Sequence, residues 1–112
     1  MPKSPERIQF LTDVFTTALE GGIGYWSECS YYRWENEQRA VIEDIEDERK
    51  EYTITLDTIA KGIGVIVKGD HVYQDLKNLI RNGSLDNDAS DIDAEGADCI
   101  VQAGLFGRVI YG

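Results

Sequence analysis

Gly21, Gly22 and Gly24 lead into Tyr25, Trp26, Tyr31, Tyr32 and Trp34, the densest run of chemically useful side chains in the sequence. Glycine frees the backbone from the usual steric limits, while tyrosine and tryptophan offer flat apolar faces with a polar edge. That pairing suits either a strand that packs a core or a platform that stacks a planar ligand. In the second role Tyr25, Trp26, Tyr32 and Trp34 stack on a base, and backbone amides near Gly22 and Gly24 meet phosphate. Stacking is worth ~1–3 kcal/mol per base, so amides or a cation must supplement it. Arg33, Lys61, Lys68 and Arg108 are the available cations, with Arg33 and Arg108 assigned to the site. In a regular strand Trp26, Tyr32 and Trp34 share one parity and Tyr25 and Tyr31 the other. Large aromatics then project from both faces of a sheet that needs helices on only one. The second face is a candidate ligand or oligomer surface, and a homo-oligomer is expected.

Other chemistry is sparse. The stretch Asp86-Asn87-Asp88-Ala89-Ser90-Asp91-Ile92-Asp93 invites a calcium reading, but an EF-hand loop needs glycine at Asp91 and glutamate at Ala97. His71 is the only histidine, which excludes multi-histidine metal sites. It follows Gly69-Asp70 near an expected helix start and reads as a surface residue. Nothing local pairs it with Cys29 or Cys99 for nucleophilic catalysis. Cys99, beside Ile100, reads as a small buried apolar group. Gly21-Gly22-Ile23-Gly24 lacks the lysine and hydroxyl of a P-loop and follows a helix rather than a strand. Carboxylates such as Glu20 and Glu28 have no distinctive spacing. The expected assignment is a non-enzyme with no catalytic residue, metal or cofactor.

The elements that position these residues follow from periodicity. Ser4 and Pro5 read as an N-cap and first helical position, after which Ile8, Leu11, Val14, Phe15, Ala18 and Leu19 recur at helical spacing. Gly21 is placed to end that helix in the left-handed conformation. Residues 23 to 34 read as a strand, bulged at a glycine. Ala40–Ile45 and Tyr52–Leu56 read as two further strands about a charged turn. Asp57 caps a second helix, although Gly62, Gly64 and Val65-Ile66-Val67 oppose it. A third helix starts at Asp70 and stops at Asn82-Gly83, followed by a polar loop over 84–91. A last helix runs from about Asp93 to Leu105, Gly107 breaks it, and Val109-Ile110-Tyr111 forms a short closing strand. The expected fold is α+β, a single domain over residues 1–112 with a small antiparallel sheet of three to four strands and three to four helices on one face.

With 42% hydrophobic and 29% charged residues the composition is that of an ordinary globular domain. No apolar run approaches the ~20 residues a membrane span needs, and the N-terminus has no secretory pattern, so both cysteines are expected reduced in a cytosol. The net charge of −10 repels phosphates and argues against direct binding of duplex DNA. Its acids gather at Glu43, Asp44, Glu46, Asp47, Glu48 and Glu51, and again at Asp86, Asp88, Asp91, Asp93, Glu95 and Asp98. Such clusters serve solubility, or they dock on a basic protein by imitating nucleic acid.

Residues 11 to 26, Leu-Thr-Asp-Val-Phe-Thr-Thr-Ala-Leu-Glu-Gly-Gly-Ile-Gly-Tyr-Trp, resemble the opening of a group of small uncharacterised bacteriophage and prophage proteins. Residues 97 to 112, Ala-Asp-Cys-Ile-Val-Gln-Ala-Gly-Leu-Phe-Gly-Arg-Val-Ile-Tyr-Gly, look like that group's C-terminal signature, and Thr-Leu-Asp-Thr-Ile-Ala-Lys-Gly at 55 to 62 is similar too. The resemblance implies a small non-structural phage protein in a bacterial host cytoplasm, of the kind that counters host defences or redirects host enzymes. It transfers no functional residue. The expectation is therefore an anti-defence or host-modulating binding protein that sequesters a nucleotide-derived molecule in an oligomer. The alternative is an acidic inhibitor docked on a basic host protein, or an accessory protein without catalytic activity.

Overall fold

A computed structural model describes residues 3–33 and 38–112; Trp34 lies outside the described residues. The chain runs α1 (Pro5–Thr17), a π-helical turn (Ala18–Gly22), β1 (Ser27–Arg33), β2 (Arg39–Asp44), β3 (Lys50–Thr55), α2 (Leu56–Lys68), α3 (Gln74–Asp86) and α4 (Ala94–Phe106). The strands form one antiparallel sheet in the order β1-β2-β3. This is the small α+β fold that the sequence suggests. Ala40, Ile42 and Ile54 on one face of the sheet join Phe10, Leu11, Phe15, Ile59, Ile66 and Ile100 in a single core.

Ser4 Oγ accepts from the Arg7 amide at 3.1 Å and Pro5 occupies the first turn, so α1 begins as expected. Its end differs. Gly21 does not adopt the left-handed conformation; the helix widens into the π turn and continues through Gly22. Glycine at position 22 has another cause: a Cβ there would stand 2.8 Å from the Ala94 carbonyl oxygen and 3.3 Å from the Asp98 amide. Only a bare backbone lets this turn abut the start of α4.

The expected strand over 23–34 begins only at Ser27. Residues before it form a tight turn in which the Trp26 and Ser27 amides both donate to the Ile23 carbonyl. The bulge lies not at a glycine but at Ser30, since Cys29 faces Ile42 while Tyr31 faces Val41. One extra residue inverts the alternation, so Ser27, Cys29 and Tyr32 face the helices and Glu28, Tyr31 and Arg33 face outward. The even division of aromatics between two faces therefore does not arise: the outer face carries Tyr31 alone from the described part of that run. Arg39 lies 5.3 Å from its ring centroid.

Three boundaries shift for local reasons. Thr55, not Asp57, caps α2, in a reciprocal box with Thr58. Asp70 precedes a turn, pairs with Lys77 at 3.5 Å, and α3 starts at Gln74. Asn82-Gly83 does not stop α3, because Gly83 is helical and its missing side chain admits the Asp88 carbonyl; Asn87, at φ 52°, ends it. Arg7 secures that end by donating to the Ser84 carbonyl at 2.8 Å and to Asn87 Oδ1 at 3.1 Å. Asp93 caps α4 through the Gly96 amide, and Gly107 ends it at φ 75° as expected. Val109–Tyr111 forms no strand; it is a tail held by a side chain of α4.

Candidate functional site

The N-terminal Gly–aromatic run and the C-terminal segment build one structural unit. Gly22 brings the π turn against α4, which sets Tyr25 and Trp26 beside Asp98. The Asp98 carboxylate is 6% exposed and accepts from Tyr25 Oη at 2.5 Å, Trp26 Nε1 at 2.9 Å and Gln102 Nε2 at 2.8 Å. Charge-assisted bonds of this number are what a buried carboxylate requires. Gln102, fully buried one turn later, turns its carbonyl to the Ile110 and Tyr111 amides, both at 2.8 Å. Tyr111 then stacks on Trp26 with centroids 5.2 Å apart and donates to Asp44 Oδ2 at 2.7 Å. Phe106 closes the aromatic cluster, 5.6 Å from Trp26 and 5.2 Å from Tyr52.

Around this network opens a cleft of about 530 Å³. Gly21, Gly22 and Tyr25 form one wall, and His71, Val72 and Tyr73, just before α3, form another. Glu95, Asp98 and Cys99 of α4 lie between them, and Tyr111 and Gly112 line it from the tail. Tyr25 and Tyr73 are 51% and 59% exposed, so their rings keep open surface. The lining holds two carboxylates and one imidazole, and neither lysine nor arginine.

The thiol and the phenols of the cleft are held toward their neutral forms. Burial and then the Asp98 charge raise the Cys99 thiol to about 11, so it stays protonated at neutral pH and is no nucleophile. Burial and Asp98 also raise Tyr25, and burial and Glu95 raise Tyr73. The hydrogen bond to Asp44 raises Tyr111 to about 12. A raised acid pKa means that the folded state holds its proton where the unfolded chain has lost it. The resulting stability is complete below the unfolded value of about 10 for tyrosine. It is then lost as pH rises through the unfolded pKa toward the folded one. The unfolding midpoint should therefore fall steadily from about pH 9, through the Cys99 and tyrosine range. Tyr25→Phe together with Tyr111→Phe should flatten that fall, as read by urea denaturation at graded pH. An equally steep decline in the double variant would remove these phenols as its cause.

The assigned site residues do not all meet. Gly22 and Tyr25 line the cleft, whereas Gly24 is exposed, with open space where a side chain would stand, and lies outside it. Trp26 is fully buried with its ring against Tyr111, so it has no face open to a ligand and supports the cleft from behind. Tyr32 lies apart, its centroid 6.2 Å from that of Phe15, and Arg33 ends β1. Arg108 is exposed beyond α4 and is not part of the lining. Position 34 falls outside the described residues. Reading the sequence missed Tyr73, Glu95 and Gln102 as site residues. A signal for the network was present: Asp98 and Gln102 are polar at i, i+4 within the otherwise apolar run 96–104.

The acidic clusters are partly internal. Asp44 is buried and also accepts from the Glu46 amide, Asp88 accepts from Ser90, Asp93 is a helix cap and Asp98 is the hub described above. Among the described residues no group of three His, Cys, Asp or Glu side chains is placed to hold a metal, and no helix is long and apolar enough to cross a membrane. Comparison of the chain with protein-family models, with curated proteins and with solved structures finds no match.

Proposed function

We propose that the chain is a phage-encoded, host-modulating binding protein of the bacterial cytoplasm whose cleft takes up a small planar molecule of the nucleoside class. The observation that carries this reading is the cleft of about 530 Å³, with tyrosine rings on two walls and hydrogen-bonding carboxylates between them. Its volume lies in the range of small-molecule sites. Ring faces supply sequence-tolerant stacking at ~1–3 kcal/mol per base. Glu95 supplies an acceptor for an exocyclic amino group, and Tyr73 is adjacent to it.

The lining also refines the expected ligand. A phosphate placed here would face Glu95 and Asp98 with no ammonium or guanidinium to balance it. The amides near Gly24 lie outside the cleft and do not serve it. The favoured ligand is therefore an uncharged, amino-bearing nucleoside, or a nucleotide derivative whose phosphates point into solvent.

Isothermal titration with adenosine, cytidine and their 5′-monophosphates tests this reading. The nucleosides should bind and the monophosphates should bind at least about tenfold more weakly. Tyr73→Ala should weaken the better nucleoside by about tenfold, which is ~1.4 kcal/mol. No nucleoside binding at millimolar concentration would remove the proposal, as would an unchanged affinity in Tyr73→Ala. Native mass spectrometry from host cells gives the complementary result: a nucleoside-sized adduct supports the cleft, and a co-purifying basic protein without adduct favours the inhibitor.

A further inference from the structure

Among the described residues, the outward face of the sheet sorts its charges by sign. Glu28, Glu43 and Glu51 stand opposite one another across the three strands, while Arg33 stands opposite Arg39 at the other end of β1. Like charges directly opposite destabilise a cross-strand pair. Arg49 relieves the acidic row in part, with Nη1 3.5 Å from Glu28 and 3.3 Å from Glu43.

β1 is an edge strand, and residues 28–33 are all exposed. It has neither proline nor lysine, and the features that guard it, the Ser30 bulge and the charges of Glu28 and Arg33, are ones that a second copy of the same strand can match. Because Ser30 is the extra residue, Glu28, Tyr31 and Arg33 occupy alternate outward positions, with Tyr31 at their centre. Two copies of this strand, laid antiparallel about a two-fold axis between Ser30 and Tyr31, satisfy the pleat on both faces. In that register Glu28 of each copy stands opposite Arg33 of the other, twice over. On the helix-facing side Cys29 stands opposite Tyr32 of the second copy. A concavity of about 310 Å³ lies there, lined by Thr16, Leu19, Glu20, Cys29 and Tyr32. It offers a place for that second phenol ring.

We propose that the chain forms a two-fold dimer through β1–β1 pairing, with a second copy of itself as the occupant of this edge. The result is one continuous six-stranded antiparallel sheet in which each acidic row adjoins a basic one. None of the paired residues lines the cleft, so the dimer stands or falls independently of the ligand.

Sedimentation equilibrium of the full chain tests this with Glu28→Arg, Arg33→Glu and the double swap. Each single reversal sets like charges across the interface and should weaken the dimer at least tenfold, whereas the double swap should restore it. Misfolding does not imitate that pattern. Within one chain Glu28→Arg faces Glu43 and Arg33→Glu faces Arg39, so each single change turns a like-charge cross-strand pair into an unlike one, although Glu28→Arg also gives up the contact with Arg49. Tyr32→Cys provides a second reading, since Cys29 and the new thiol of the other copy lie within disulfide range across an antiparallel pair. Oxidation should yield a covalent dimer on a non-reducing gel. A wild-type monomer at concentrations on the order of 100 μM would overturn the proposal. So would a dimer indifferent to both single reversals, or the absence of a cross-link.

Discussion

Gly62→Ala should destabilise the protein by about 3 kcal/mol or more, whereas Gly64→Ala, two residues along the same helix, should stabilise it by up to ~1 kcal/mol. Both glycines lie inside α2, where alanine is intrinsically better because glycine loses more backbone freedom on folding. At Gly64 a Cβ meets nothing within 4 Å, so propensity alone decides. At Gly62 the added carbon would overlap the Ile100 carbonyl oxygen of α4 and come within 3.0 Å of the Gly104 amide. Those are backbone atoms of a packed helix, which a rotamer change cannot move aside. The reciprocal contact has the same form, since a Cβ on Gly104 would overlap the Thr58 carbonyl. α2 and α4 therefore cross with backbone against backbone, and a methyl group at either glycine must push them apart. With a total stability of about 5–15 kcal/mol for a domain, the Gly62 variant loses a substantial fraction. Urea denaturation followed by circular dichroism should show midpoints moving in opposite directions. A neutral Gly62→Ala would mean that the two helices do not approach so closely.

The same pair of glycines shows where sequence reading reaches its limit. Gly62, Gly64 and the branched Val65-Ile66-Val67 counted against a helix, because propensity is local. Tertiary contact reverses the weight of Gly62, which is there for the approach of α4. Gly83 repeats the lesson: it suggested a helix end, and it instead admits a carbonyl of a neighbouring segment, as Gly22 does. Gly107, at φ 75°, is the helix-terminating glycine that sequence does identify. Periodic apolar faces were legible throughout. The existence and order of α1, β2, β3 and α4 follow from them, whereas caps such as Thr55 with Thr58 depend on one-residue choices among neighbouring hydroxyls and acids.

The site was less legible, for a physical reason. A run rich in tryptophan and tyrosine suits core and ligand platform equally, and the Ser30 bulge, invisible in the pattern, decides which side each ring takes. Trp26 went to the core because its indole N–H finds a buried carboxylate 72 positions away. Tyr25, its neighbour, meets the same carboxylate through its hydroxyl yet keeps half its surface open. No spacing rule joins positions 25 and 26 to 98 and 102. The two terminal segments nevertheless belong together, each supplying half of one hydrogen-bonded aromatic unit.

Gln102→Leu tests that unit most directly and should cost about 2–4 kcal/mol. The substitution keeps bulk close to that of glutamine but deletes both ends of a bridge. The Ile110 and Tyr111 amides lose their acceptor, Asp98 loses one of its donors, and the Tyr111 carbonyl loses a bond of 3.3 Å. Each polar group left unpaired in a buried place costs ~1–3 kcal/mol. The tail can limit that cost by peeling away into water, so the loss should saturate near the free energy of docking residues 109–112. Peeling has a signature of its own: the Ile110 and Tyr111 amides should exchange with solvent deuterium far faster than those of α4. Tyr111 would also leave the Trp26 ring and the cleft wall that it lines. Nucleoside affinity should then fall while α4 stays protected, which separates a detached tail from a collapsed fold. If Gln102→Leu kept wild-type stability with slow exchange at Ile110 and Tyr111, the bridge would not be what holds the two ends of the chain together.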